Sequence, residues 1–277
     1  MSKSIMPMIV ALLAFMLGGC LTSAPQKPGN QAHDRVIGLN ERALAYFERG
    51  NQLEATALLK DALRLSESWD DPHGQTLTLI NLSRVYRQGG SPNLAMPEIV
   101  RGVALSSRNS FAADAAQEMA LVELDLGNIE KARVWAGKSL KLEDGRFKGR
   151  RLNLLARIAM LSSGYDEAAR LAEQALPLNR SAGLAEEEAN SSRLLGMAHL
   201  KLGKLEEAER HLAAALALDK SSGRPTRIAD DLSGLADLET LKGNLSAARD
   251  YRERAEKARK SIMTPRQPQD PPKARSH

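Results

Sequence analysis

One cysteine, Cys20, stands in a chain of 277 residues, so no disulfide can form within it. Aromatic residues make up only 4% of the sequence, which leaves the core to small and aliphatic side chains. The five histidines, at 33, 73, 199, 211 and 277, have no second ligand at metal spacing and no further thiol to join them. His199 reads as a packing residue. A glycine-rich phosphate loop is missing, since Gly89-Gly90 falls in a turn between apolar-periodic stretches. Ser162-Ser163-Gly164 and Ser221-Ser222-Gly223 lack the strand context of a nucleophile elbow. Glu186-Glu187-Glu188 opens a helix, where acidic side chains complement the dipole. With acids and bases scattered and never convergent, the sequence reads as a chain that is not an enzyme and carries no cofactor or metal.

A surplus of one charge sign is also missing. The formal net charge of +5 loses Lys3 if the first residues are removed. The stretch from 260 onward contributes Lys260, Arg266, Lys273 and Arg275 against Asp270. What is left is about one positive charge from neutral. Solvated helix faces of mixed charge account for that, and nucleic acid is not an expected partner.

What is present is a repeat. Three small residues recur six times, twelve and then seven positions apart: Ala43, Ala55, Ala62; Ser83, Ala95, Gly102; Ala120, Ala132, Ser139; Ala156, Ala168, Ala175; Gly196, Ala208, Ala215; Ala236, Ala248, Ala255. The fifth copy shows the unit best. Leu195-Gly196, His199-Leu200, Leu205, Ala208, Leu212, Ala215-Leu216 fall three or four apart on one helical face, with Gly203 at a turn. Each copy therefore reads as two helices that approach closely at alanine-sized positions. A larger side chain there would hold them apart, an overpacking worth roughly 1–3 kcal/mol. Pro97 and Pro177 fall inside second helices and should each kink a helix or mark its end.

The unit resembles the tetratricopeptide repeat, whose first helix carries Leu-Gly or Leu-Ala, with Gly at the turn and Ala twice in the second helix. Leu82-Ser83, Met119-Ala120, Leu155-Ala156, Leu195-Gly196 and Leu235-Ala236 match the first element. Gly50, Gly90, Gly127, Gly203 and Gly243 match the turn. In the fourth copy Gly164 comes one residue late and reads as a shifted turn, and Arg42 stands where leucine is expected. The resemblance implies an all-α fold, a right-handed α-solenoid of about six hairpins over residues 34–260. Steps of 36–40 residues between second-helix alanines exceed the usual repeat of about 34. The surplus is expected between hairpins, at 66–75, 108–112, 143–150, 179–184 and 220–226, with helices about a turn longer than standard.

Residues 1–19 read as a targeting segment: Lys3, an apolar stretch from Ile5 to Leu17, then Gly18-Gly19. With Cys20 directly behind it, the ending resembles a bacterial lipobox. That resemblance implies diacylglyceration of the Cys20 thiol, cleavage before it and acylation of the new amine. Cleavage near Thr22-Ser23-Ala24 by an ordinary signal peptidase, or retention as a weak anchor, are the competing readings. Leu21, in place of the aspartate that retains lipoproteins on the inner membrane, favours the outer membrane facing the periplasm. Residues 20–33 are expected to form a flexible tether, and the proline-rich stretch 261–277 a disordered tail.

In the resembling family the first helices line a concave groove. Carried over by register, the groove candidates are Asn40, Arg84, Arg87, Gln117, Asn153, Arg157, Arg193 and Asp237, with Arg146, Lys148, Arg150 and Arg151 near the fourth hairpin. Arginine forks suit carboxylates. The groove is therefore expected to take a protein segment with acidic side chains or a free C-terminus, the alternative being that these arginines are merely solvated. The pattern does not match tetratricopeptide repeats that clamp chaperone tails. The layout resembles outer-membrane lipoproteins such as pilotins and implies a membrane-tethered adaptor. The other reading is a periplasmic receptor for an anionic small-molecule or cell-wall ligand.

Overall fold

A computed structural model describes residues 28–107 and 110–263. The targeting segment, Cys20 and the tail beyond 263 lie outside the described residues. Within them the chain is all α, with twelve helices and no strand: α1 (Pro28–Glu48), α2 (Gln52–Ser68), α3 (Pro72–Gln88), α4 (Pro92–Ser106), α5 (Ala112–Asp125), α6 (Ile129–Leu142), α7 (Lys148–Leu161), α8 (Tyr165–Ser181), α9 (Ala185–Lys201), α10 (Leu205–Ser221), α11 (Pro225–Leu241) and α12 (Leu245–Met263). Consecutive pairs form six antiparallel hairpins, each packed on the next.

Every one of the small residues in the six recurring sets is buried. Gly196 shows why. A Cβ there would lie 2.6 Å from Leu212 Cγ and 3.0 Å from the Leu212 nitrogen, so α9 and α10 touch only because the side chain is absent. Around these contacts sit modest apolar clusters, for instance Leu152, Leu171, Ala172 and Leu195 in the fourth and fifth hairpins. Helix α12 buries only Ala248 and Ala255 fully and turns its charged positions outward, as the end of a solenoid requires.

Three expectations change. Helix α1 already begins at Pro28, inside the stretch 20–33 expected as a tether. Proline suits the first helical turn, and His33 Nδ1 lies 2.9 Å from Asp71 Oδ2, tying the start of α1 to the start of α3. At the other end α12 runs to Met263, past the expected start of the tail at 261. The fourth turn is not shifted. Ser163 takes the left-handed conformation, φ 59°, in register with Gly50, Gly90, Gly127, Gly203 and Gly243. Gly164, at φ −82°, is the residue that precedes α8.

The extra length goes into helices more than into links. Helices α2, α3, α8, α9, α10 and α11 have 17 residues each and are joined by three-residue turns. The exceptions are the five-residue connections 107–111 between α4 and α5 and 143–147 between α6 and α7. Neither proline ends its helix: α4 continues through Pro97 and α8 through Pro177. Both prolines are exposed, as are Asn93 and Glu173, so the carbonyls freed four residues back face water.

The first helices of successive hairpins are joined by polar staples. Asn40 of α1 donates to Thr78 Oγ1 at 2.9 Å and accepts from Asn81 Nδ2 at 2.9 Å. Arg87 of α3 grips Glu118 at 2.8 Å and Asp125 at 3.2 Å on α5. Arg151 of α7 is 1% exposed and donates to Gln117 and to Asp114 at 2.6 Å on α5, and to Glu143 at 3.2 Å. Asn153 of α7 donates to Glu187 at 3.0 Å and accepts from Ser191 at 2.8 Å on α9. Arg193 of α9 is clamped between Asp219 and Asp231, the latter at 2.6 Å. Burial pushes the Asp231 carboxyl up to about 7, with Arg193 opposing and Asp219 reinforcing the rise. Packing between first helices is thinnest at α5–α7, where the buried Arg151 guanidinium does most of the joining.

Candidate interaction groove

Two adjoining hollows lie on the face built by the odd-numbered helices. The first, about 350 Å³, is walled by Ile37, Leu44, Leu77, Ile80, Phe111 and Phe147, with Asn40, Asn81, Arg84, Asp114 and Arg150 on its rim. The second, about 290 Å³, is polar and carries Arg87, Arg150, Arg157 and Arg227 against one carboxylate, Glu187, with Gln117, Asn153 and Asn190 between them. Arg150 belongs to both, so the hollows form one strip that runs from α1 to α11. A third hollow, about 460 Å³, adjoins them through Phe147, Arg150 and Glu187 at the start of α9.

The candidates divide by register. Residues eleven positions before each second-helix alanine include Leu44, Arg84, Leu121 and Arg157, and these line the strip. Asn40, Gln117, Asn153 and Arg193, fifteen positions before, are committed to the staples. Asn40, Gln117 and Asn153 still touch a hollow, each with its side chain held in the seam, while Arg193 lies in neither hollow. Arg87 lines the polar hollow but is satisfied by Glu118 and Asp125. Asp237 is exposed and lies outside both hollows. In a third register, eighteen positions before the alanine, only Arg150 was among the candidates. Ile37, Leu77, Asp114 and Asn190 share it, and all five line the strip. The signal was there: positions seven apart share a helical face.

The unsatisfied charges are few and specific. Arg84 is half-buried, and its guanidinium donates to the Asn81 side-chain oxygen, 3.3 Å away. Burial pushes its guanidinium below the ordinary value, and Arg150 and Arg87 push the same way against Glu118. Among the described residues Arg157 forms no ion pair, and desolvation by the groove walls lowers it too, with Asp125 opposing. Arg150 reaches Glu187 only at 3.5 Å. Arg227 meets Asp230 at 3.5 Å on its own helix. Among the described residues no group of three or more His, Asp or Glu is placed to hold a metal ion.

A tetratricopeptide-repeat family profile matches residues 186–261, the last two hairpins. The same small-residue hairpin is built four more times before them. The chain carries tetratricopeptide repeats. Over 108 residues it is 34% identical to the type IV pilus assembly protein PilF of Pseudomonas aeruginosa, a match spanning 37% of this chain and 39% of that one. The fold of this tetratricopeptide-repeat protein is similar to a solved structure of Pseudomonas aeruginosa PilF, at TM-score 0.61 and 19% identity, covering 81% of this chain and 90% of that one. It is also similar to the Rap conjugation gene regulator of plasmid pLS20 solved with the Phr* peptide, at TM-score 0.66 and 15% identity, covering 83% and 64%.

Proposed function

We propose that this tetratricopeptide-repeat protein is a lipid-anchored adaptor of the bacterial cell envelope. Held by acyl chains on Cys20 at the outer membrane, it faces the periplasm and binds a segment of a partner protein while a membrane complex assembles. The observation that carries the reading is the strip from α1 to α11, which is open along its length and built by several hairpins, a shape suited to an extended chain. Similarity to a type IV pilus assembly protein makes a pilus-type complex the first partner to test. No described helix is long and apolar enough to cross a membrane, so in this reading attachment falls to the lipid. One acyl chain anchors only marginally and two or more anchor stably.

Metabolic labelling with a palmitate analogue is expected to mark the wild-type chain and not Cys20→Ser, which should leave the membrane fraction. Affinity capture of the wild-type chain from membranes should retrieve subunits of an outer-membrane assembly. An unlabelled chain that fractionates as soluble overturns the reading. The four arginines of the polar hollow favour one alternative, a receptor for an anionic small-molecule or cell-wall ligand.

A further inference from the structure

Resting on the adaptor reading, we infer that the groove recognises an apolar stretch of protein lying next to two or more side-chain carboxylates. The apolar part seats between α1 and α3, and the carboxylates meet Arg84, Arg150 and Arg157.

Three observations converge on this ligand. The first is a mismatch of charge. Arg87 has both its acids, whereas Arg84 has an amide oxygen and Arg157 no ion pair among the described residues. A guanidinium drawn part-way out of water without a carboxylate in direct contact is destabilising, and an incoming carboxylate relieves it. The depressed values of Arg84 and Arg157 register the same desolvation. The second is the division of the strip into an apolar end, with Ile37, Leu44 and Leu77, and a cationic end. Arg84 borders the apolar hollow and Arg150 borders both, so one continuous ligand touches the two. The third is spacing. Arg84 borders one hollow and Arg157 the other, which favours a run of acidic side chains over a single terminal carboxylate. The chain's own C-terminal stretch is a poor occupant, since Arg266, Lys273 and Arg275 outnumber Asp270.

The test is fluorescence anisotropy with the full chain and a labelled, C-terminally amidated peptide that sets a Phe-Leu pair beside an Asp-Asp pair. Arg84→Gln and Arg157→Gln are each expected to weaken binding about tenfold, as is exchange of Asp-Asp for Asn-Asn in the peptide. Ile37→Ser is expected to weaken both peptides, and added salt the acidic one alone. Circular dichroism should show unchanged helicity in all three variants. Equal affinity for the acidic and amide peptides overturns the inference, as does indifference to both arginine changes. Tight binding of an anionic oligosaccharide that ignores Ile37→Ser, with no binding of the peptide, also overturns it. Capture of an envelope complex by a chain that fails to discriminate the peptides would leave the adaptor standing and remove only this ligand. Peptide discrimination by a chain that is never lipidated would do the reverse.

Discussion

Single positions in this chain carry measurable consequences because the backbone is so regular. Ser163 holds a conformation that five turns assign to glycine. Ser163→Gly is expected to raise unfolding free energy by about 0.5–1 kcal/mol, read from urea denaturation, because the left-handed strain exceeds the entropy a glycine adds to the unfolded chain. Gly196→Ala should move the other way. Its helix propensity improves by about 1 kcal/mol, yet the new methyl meets Leu212 at 2.6 Å, and a net loss of about 1–2 kcal/mol is expected. The turn at 163 also marks where sequence reading fails locally. Glycine is the usual sign of a positive φ, and when serine takes the position a nearby glycine draws the assignment one residue off. The eighteen small core positions were legible because their spacing is strict, and all of them are buried.

One titration belongs to this scale as well. His199 and His211 stack at 5.7 Å across α9 and α10, and His199 Nδ1 is buried without a partner. Burial lowers both imidazoles from 6.5, with Lys204 and Arg210 among the charges acting on His199 and Arg210 prominent at His211. A lowered folded value contributes stability that is present above about pH 6.5 and is lost as pH falls through it. Asp231, raised to about 7, acts in the opposite sense, its contribution being lost as pH rises. Comparison of variants separates the two. The melting temperature of His211→Gln should fall less than that of the wild type on acidification from about pH 7.5 to about pH 5.5.

Helices are the scale at which periodicity worked. Pro97 and Pro177 were expected to kink or end their helices; neither ends its helix, and the orphaned carbonyls face solvent. Pro177→Ala is therefore expected to stabilise the array by about 1–3 kcal/mol, measured as a shift in urea midpoint. The groove register was half legible. First helices do line it, but the carry-over took positions that the staples had claimed and passed over the position one face-repeat earlier. A polar residue on a first helix looks alike from sequence whether it reaches solvent or the next hairpin. Only the partner settles the matter, and Arg87, Asn153 and Arg193 find theirs some 31 to 38 residues away.

For the molecule as a whole, nearest-neighbour contacts set stability, and they are not uniform. The α5–α7 junction has the thinnest packing of first helices and depends on Arg151. Arg151→Met leaves Asp114, Glu143 and Gln117 without their donor, a loss of about 3–5 kcal/mol. Urea unfolding of that variant should split into two transitions, one for each set of three hairpins, while Arg157→Gln should melt like the wild type.

That junction also governs how the array bends. A solenoid flexes where one repeat grips the next least firmly, and here the softest coil of the spring lies directly under Arg150, between the apolar and cationic ends of the groove. A segment gripped on both sides of it would hold the first three hairpins and the last three at one angle.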